Sequence, residues 1–406
     1  MGEMLGKEIE IDVTKVAHGG IAVGRYEGRA VFVSDAIPGE TVVARVSDDR
    51  KKSFWRADTV AVLTASEHRQ PHVWGAADLS RDPDNRAGGA EFGHITVEHQ
   101  RELKRQVLSE ALERMAGVTS EVQVEGIPGE ADGTGWRTRV RLHVAEDGTV
   151  GPYAARSHRV VPVDDLPLAT PEAALVAPLS ERFSGSTHVD VVAPSKGNAF
   201  VLAGDSTQKT RPRKHAITEV VGEREFRLDV RGFWQVHRHA AETLTGAVQD
   251  AIVAERFDPR AANQDLYGGV GLLAAAVADR FGPATRITSV ESDAQATDYA
   301  SENLTEWLGA ASISARVDRY LAGLTSPLTG ATVVLDPPRA GAGGAVVGAL
   351  TALTPEQVIY VACDPVALAR DVALFAEAGY ELTRLRAFDL FPHTHHVEAV
   401  ATLQRR

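Results

Sequence analysis

Apolar and polar residues alternate with a period of two through Ile9-Glu10-Ile11-Asp12-Val13, and apolar stretches recur at Ala30–Val33, Thr41–Val46 and Asp58–Val62. Alternation of this kind marks half-buried strands. Glycine-bearing turns separate the runs, at His18-Gly19-Gly20, Tyr26-Glu27-Gly28 and Pro38-Gly39-Glu40. Short strands so closely spaced predict a small OB-like β-barrel over residues 1–65, an architecture often used as an oligonucleotide platform. A polar, turn-rich stretch from Ser66 to Gly93 follows. Then Leu103, Val107, Leu108, Ala111, Leu112 and Met115 fall at helical spacing within Val97–Met115. Strand patterns resume from Val122 to Val201, including Arg139–Val144 and Arg159–Val163, so residues 66–230 read as a mixed α+β central domain. From 231 to 406 helical stretches alternate with apolar strands, the pattern of a parallel sheet in a Rossmann-like α/β domain. The chain is therefore multidomain α/β.

Composition narrows the class. In 406 residues 44% are hydrophobic, enough for real cores, and no run approaches the roughly 20 apolar residues of a membrane span. The first residues lack the apolar segment of a secretory signal, and one cysteine precludes a disulfide framework. A cytoplasmic protein with no membrane partner is expected, a monomer by default. The formal net charge of −12 argues against a protein that coats nucleic acid. Fields act locally, however, and basic residues cluster in Arg50–Arg56, Trp136–Arg141 and Lys209–Lys214. Such clusters track phosphates, or simply form solvated faces.

Chemistry concentrates in the last third. The single cysteine, Cys363, follows the apolar run Val358-Ile359-Tyr360 and precedes an Asp364-Pro365 turn, which puts sulfur at the carboxyl end of a strand, where open α/β sheets bind ligands. It is either a buried filler, the usual fate of a free cysteine, or a nucleophile. Upstream, Asp265-Leu266-Tyr267-Gly268-Gly269-Val270-Gly271 opens an alanine-rich helix, and Ile287-Thr288-Ser289-Val290 ends in Glu291. Glycines let the backbone approach a ligand, and an acid at the second strand tip suits ribose hydroxyls. Both S-adenosylmethionine and a dinucleotide fit these two features. Asp336-Pro337-Pro338-Arg339, a proline-stiffened acidic strand end of a kind common in methyltransferases acting on planar nitrogenous rings, favours the methyl donor.

Five segments in order resemble the bacterial RNA uracil-C5 methyltransferases that form 5-methyluridine. They are Phe233–Val236, Asp265–Gly271, Asp336–Arg339, Cys363–Asp371 and Phe391–Glu398. The start, with Ala17–Gly24, is similar to the TRAM domain that this family carries. The resemblance implies a class I methyltransferase domain, S-adenosyl-L-methionine as cofactor and structured RNA as partner, ribosomal RNA slightly ahead of transfer RNA. It implies Cys363 as the nucleophile that adds to uracil C6 and Glu398 as the base that removes the C5 proton. Gln235, Tyr267, Glu291 and Asp336 are implied as cofactor contacts, with Asp336 alternatively facing the uracil edge. Arg339 or Arg370 would activate the thiol. Leu272 stands where relatives often have asparagine. Many relatives hold an iron–sulfur cluster through an Arg-Cys-Gly-Gly-Cys segment; here the place reads Arg86-Ala87-Gly88-Gly89-Ala90, so no cluster is expected and packing should replace it. His393, His395 and His396 invite a metal reading, but their segment implies positioning of Glu398, and no metal is expected. Two other readings stand beside this one: an RNA-binding protein of the same fold with impaired catalysis, and a methyltransferase with a non-RNA substrate in which Cys363 is filler.

Overall fold

The structure, a computed structural model, describes residues 3–128, 132–204 and 215–406. The basic cluster Lys209–Lys214 lies outside the described residues. Five strands close the N-terminal barrel: β1 (Glu8–Ala17), β2 (Ile21–Tyr26), β3 (Arg29–Ser34), β4 (Thr41–Asp48) and β5 (Phe54–Thr64), in the order β1-β2-β3-β5-β4. The period-two pattern sends Ile9, Ile11 and Val13 inward against Val31, Val33, Val42, Ala44 and Val46. The polar alternates face out.

Next come α1 (Val97–Ala116), β6 (Val124–Glu125), β7 (Arg139–Val144), β8 (Val150–Gly151), α2 (Pro171–Val176), β9 (His188–Val192) and β10 (Phe200–Gly204). A hairpin follows, β11 (Ala216–Val221) with β12 (Arg224–Asp229). The central sheet runs β10-β9-β7-β8. Arg159–Val163 is not a strand: Pro162 has no N–H to give a ladder, and only Val160 bridges, to Tyr153.

The C-terminal part contains α3 (Ala240–Ala251), β13 (Asn263–Leu266), α4 (Leu272–Phe281), β14 (Ile287–Glu291), α5 (Ala294–Asn303), β15 (Ala310–Ser314), α6 (Val317–Gly323) and β16 (Thr332–Leu335). It ends with α7 (Gly343–Ala352), β17 (Gln357–Ala362), α8 (Pro365–Glu377), β18 (Tyr380–Phe388) and β19 (Glu398–Arg405). Its eight-stranded sheet has the order β15-β14-β13-β16-β17-β19-β18-β6. Strands β13 to β17 are parallel, while β19 runs antiparallel to β17. The order reverses between β13 and β16, so a cleft opens there at the strands' carboxyl ends.

Two elements from the 66–230 stretch join this sheet. Strand β6 pairs with the end of β18, and α1 packs on α8, with Leu108, Ala111 and Leu112 in the same core as Leu368, Val372 and Phe375. Gly117, left-handed at φ 65°, ends α1. The helix thus belongs to the wall of the cleft, which bears on the site below. No helix among the described residues is long and apolar enough to cross a membrane.

Candidate active site

Strand register alone assembles most of the site. Leu266 is paired with Val290 on one side and Leu335 on the other, so the residues that follow, Tyr267, Glu291 and Asp336, leave the sheet in one row. Ala362 of β17 lies opposite Ala399 of β19. One step further puts Cys363 across from Glu398, on neighbouring strands about 4.8 Å apart.

The turn after β13 needs its glycines. Tyr267 has φ 65°, rare for a side chain of this size, and Gly269 and Gly271 are left-handed too. A Cβ on Gly268 would collide with Ser289 Oγ and lie 2.7 Å from Asp265 Oδ2. Beneath the turn, Asp265 is wholly buried and accepts from Ala274 N and Ser289 Oγ, each at 3.1 Å. Burial pushes its carboxyl up to about 7. Glu291 accepts from Gly269 N at 3.2 Å and Asp293 N at 2.7 Å, which aims the acid along the rim. Leu272 packs into the core instead of lining the cleft.

Helix α1 holds the segment that delivers Glu398. Gln100 and Lys104, four residues apart, share one face. Gln100 Oε1 accepts from His393 N at 2.7 Å, and its amide donates to His393 Nδ1 at 2.9 Å. His393 Nε2–H donates to the Asp132 carbonyl at 2.7 Å. Both ring nitrogens are thereby engaged, which makes His393 a pin for the turn. Lys104, also buried, donates to Asp389 Oδ1 at 2.5 Å and to the Phe391 carbonyl at 3.0 Å.

The residue after Cys363 begins α8. Asp364 Oδ1 accepts from Val366 N at 3.0 Å and Ala367 N at 2.8 Å, with Pro365 in the first turn, a strong helix start. Cys363 therefore sits at a helix N-terminus, which by itself lowers a thiol pKa. Burial wins, however. The thiol is pushed up to about 12 by desolvation, then by Glu398, Asp336 and Asp364, with Arg339 alone opposing. Glu398, 4% exposed, is raised well above the usual carboxyl range by burial and by Asp336; Arg339 again opposes. Asp336 is raised to about 7 by burial. Arg370 spends its guanidinium on Asp371 and the Ala340 carbonyl, so of the two expected activators only Arg339 bears on the thiol.

All six expected residues line one cavity of about 1080 Å³: Gln235, Tyr267, Glu291, Asp336, Cys363 and Glu398. Its carboxylates and glycine turn suit S-adenosylmethionine, whose ribose hydroxyls and positive sulfur ask for acceptors. The structure adds residues that sequence reasoning did not single out. Arg137 lines the cavity, whereas Arg139 is held by the Val230 and Gly232 carbonyls and Arg141 pairs with Asp190. Nothing in the basic run distinguishes the three. Gln295 and His396 also line it, and Phe233, 74% exposed, stands at its mouth. In the Arg86–Ala90 segment, Ala87 and Ala90 are buried in an apolar core with Trp74, Trp136 and Leu142. Among the described residues no group of three or more His, Cys, Asp or Glu is placed to hold a metal.

Comparison with known proteins agrees with this architecture. Residues 2–54 match the TRAM domain model, and residues 287–406 match the tRNA (uracil-5-)-methyltransferase model. An RNA methyltransferase of Streptomyces avermitilis is 37% identical over 98% of this chain and 99% of its own. One from Streptomyces coelicolor is 36% identical, covering 99% and 93%, and one from Bifidobacterium longum 32%, covering 98% and 97%. The crystal structure of Pyrococcus abyssi tRNA (uracil-54, C5)-methyltransferase with S-adenosyl-L-homocysteine superposes with a TM-score of 0.72, at 21% identity, over 99% of this chain and 100% of that one. That match extends the shared fold across barrel, centre and catalytic sheet. With relatives this similar end to end, the chain belongs to the TRAM-bearing, S-adenosylmethionine-dependent RNA methyltransferases of the uracil-C5 family.

Proposed function

We propose that this enzyme methylates C5 of a uridine in structured RNA through a transient bond between Cys363 and C6, with ribosomal RNA favoured over transfer RNA, acting as a cytoplasmic monomer. The observation that supports the reading is the Ala362–Ala399 register, which leaves Cys363 and Glu398 next to each other in the cavity that Gln235, Tyr267, Glu291 and Asp336 also line. C5 of uracil is too weak a carbon nucleophile to accept a methyl group unaided. Cys363 loses its proton to solvent, the thiolate adds to C6, and the C5–C6 π pair moves towards the C4 oxygen, so the ring becomes an enolate. When bound, S-adenosylmethionine would supply an electrophilic methyl group to C5, its sulfonium bond breaking to leave S-adenosylhomocysteine. Glu398 then takes the C5 proton, and the C6–S bond breaks to return the thiolate. A carboxyl whose pKa is raised is the stronger base once ionised, which suits removal of a proton from carbon. Gln235, Tyr267, Glu291 and Asp336 orient the cofactor in this scheme. The target base leaves its stack to reach the thiol.

The test uses labelled S-adenosylmethionine and RNA containing 5-fluorouridine. Fluorine does not leave C5 as a proton, so protein and RNA should remain joined in denaturing gels. Glu398→Gln should accumulate a similar adduct on ordinary RNA while product falls. A Cys363→Ala variant that still methylates uridine would overturn the scheme. Mapping 5-methyluridine in RNA from a strain lacking the gene identifies the target.

A further inference from the structure

The barrel reaches the catalytic centre directly. Its β1–β2 turn sets His18 against Asp364, with Nε2–H donating to Oδ2 at 2.8 Å. Asp364 is the residue after Cys363, and its other oxygen already caps α8. The two oxygens of one carboxylate thus join the barrel to the helix that begins at the reactive sulfur. Next to His18, Gly20 is left-handed at φ 71° and packs so closely that a Cβ there would overlap His395 and lie 2.9 Å from the Phe92 ring. Between the turn and the sheet lies a second cavity of about 230 Å³, lined by His18, Gly19, Gly20, Arg339, Cys363 and His396 among others. Cys363, Arg339 and His396 line both this space and the large cavity. Cys363 therefore stands between two spaces, the outer of which the barrel turn helps to line.

We infer that the barrel turn is a working part of the catalytic centre, with His18 acting as a positioning residue that fixes Asp364, and through it the orientation of Cys363. The barrel then does more than hold RNA. Displacing the turn would leave every reacting group present but the sulfur less well aimed. This rests on Cys363 being the nucleophile, yet it is testable without that assumption, because a single cysteine makes thiol chemistry report on one site.

Three full-length variants are compared with the wild type: His18→Ala, His18→Gln and Gly20→Ala. Alkylation by iodoacetamide without RNA reads the exposure and orientation of the thiol. Methyl transfer to total RNA from a strain lacking the gene gives kcat and KM. His18→Ala should lower kcat about tenfold, short of the roughly 10²-fold that an ångström of misplacement can cost. KM for RNA should change little, and alkylation should become faster as the helix start loosens. Glutamine, whose amide donates to the same oxygen, should restore much of both. Gly20→Ala should reproduce the alanine phenotype with His18 intact, because its new methyl lifts the turn away. If His18→Ala raises KM while leaving kcat and alkylation unchanged, His18 is merely an RNA contact and the inference fails. It fails equally if Ala and Gln at position 18 behave alike. Methylation surviving in Cys363→Ala would instead remove the nucleophile reading, leaving the alkylation results to judge the positioning.

Discussion

The resting thiol should be unreactive, and the size of the effect follows from its surroundings. Burial, reinforced by Glu398, Asp336 and Asp364, moves Cys363 from 9.0 to about 12. At pH 8 that leaves about one thiolate in 10⁴ instead of about one in ten, a roughly 10³-fold deficit. A more basic thiolate is more nucleophilic; with a Brønsted slope of about 0.4–0.5, three units recover about twentyfold. The net expectation is alkylation about fiftyfold slower in the folded enzyme than in urea. Iodoacetamide labelling followed by intact mass measures this without ambiguity, since the chain has one cysteine. Between pH 7 and 10.5 the logarithm of the folded rate should climb with unit slope and no plateau. Glu398→Gln supplies the internal check. The Glu398 carboxylate is the foremost charge opposing ionisation of the thiol, so replacing it with the neutral amide should speed labelling. A plateau near pH 8, or labelling as fast as in urea, would refute the argument that burial outweighs the helix terminus and Arg339. If the argument holds, activation of the thiol belongs to the complex with RNA and cofactor.

Three further outcomes are expected. Asp265 has its folded pKa raised from 3.8 to about 7, so the stability it contributes below pH 4 is lost as pH rises through 7; Asp265→Asn should gain in Tm relative to wild type across that window and then level off, and a pH-independent difference would contradict the buried proton. Gly268→Ala forces a methyl group onto Ser289 and Asp265, a strain of about 1–3 kcal/mol. Calorimetry should show S-adenosylhomocysteine bound about tenfold more weakly, tenfold being about 1.4 kcal/mol, whereas unchanged affinity would mean that the turn yields freely. Phe233→Ala removes an aromatic face 74% exposed at the cavity mouth. Stacking on RNA bases is worth about 1–3 kcal/mol, so KM for RNA should rise while Tm and cofactor affinity stay put.

What the sequence made legible is what local rules and strand register govern. Alternation at Ile9–Val13 sends those side chains into the barrel, and the glycine turn, Glu291, Asp336 and Cys363 all fall at strand ends because parallel strands feeding helices put their carboxyl edges together. Those positions are fixed by the count of residues along each strand. Other features depend on which surfaces meet, and a linear reading holds no record of that. Helix α1 looks like an ordinary amphipathic helix of the centre, yet its buried polar residues Gln100 and Lys104 serve a loop almost 300 positions later. Arg137 is one arginine among three until the tertiary structure ties up the other two. His18 lies 346 residues from Asp364 and carries no pattern at all. The contacts of α1 and of His18 share a feature: each joins an element outside the Rossmann-like sheet to the segments bearing Cys363 or Glu398. The sheet brings Cys363 and Glu398 to one rim, and the barrel and α1 contact the segments that carry them. Loss of aim with retention of fold is therefore the expected phenotype at this seam, in contrast to the loss of fold expected where the sheet core is disturbed.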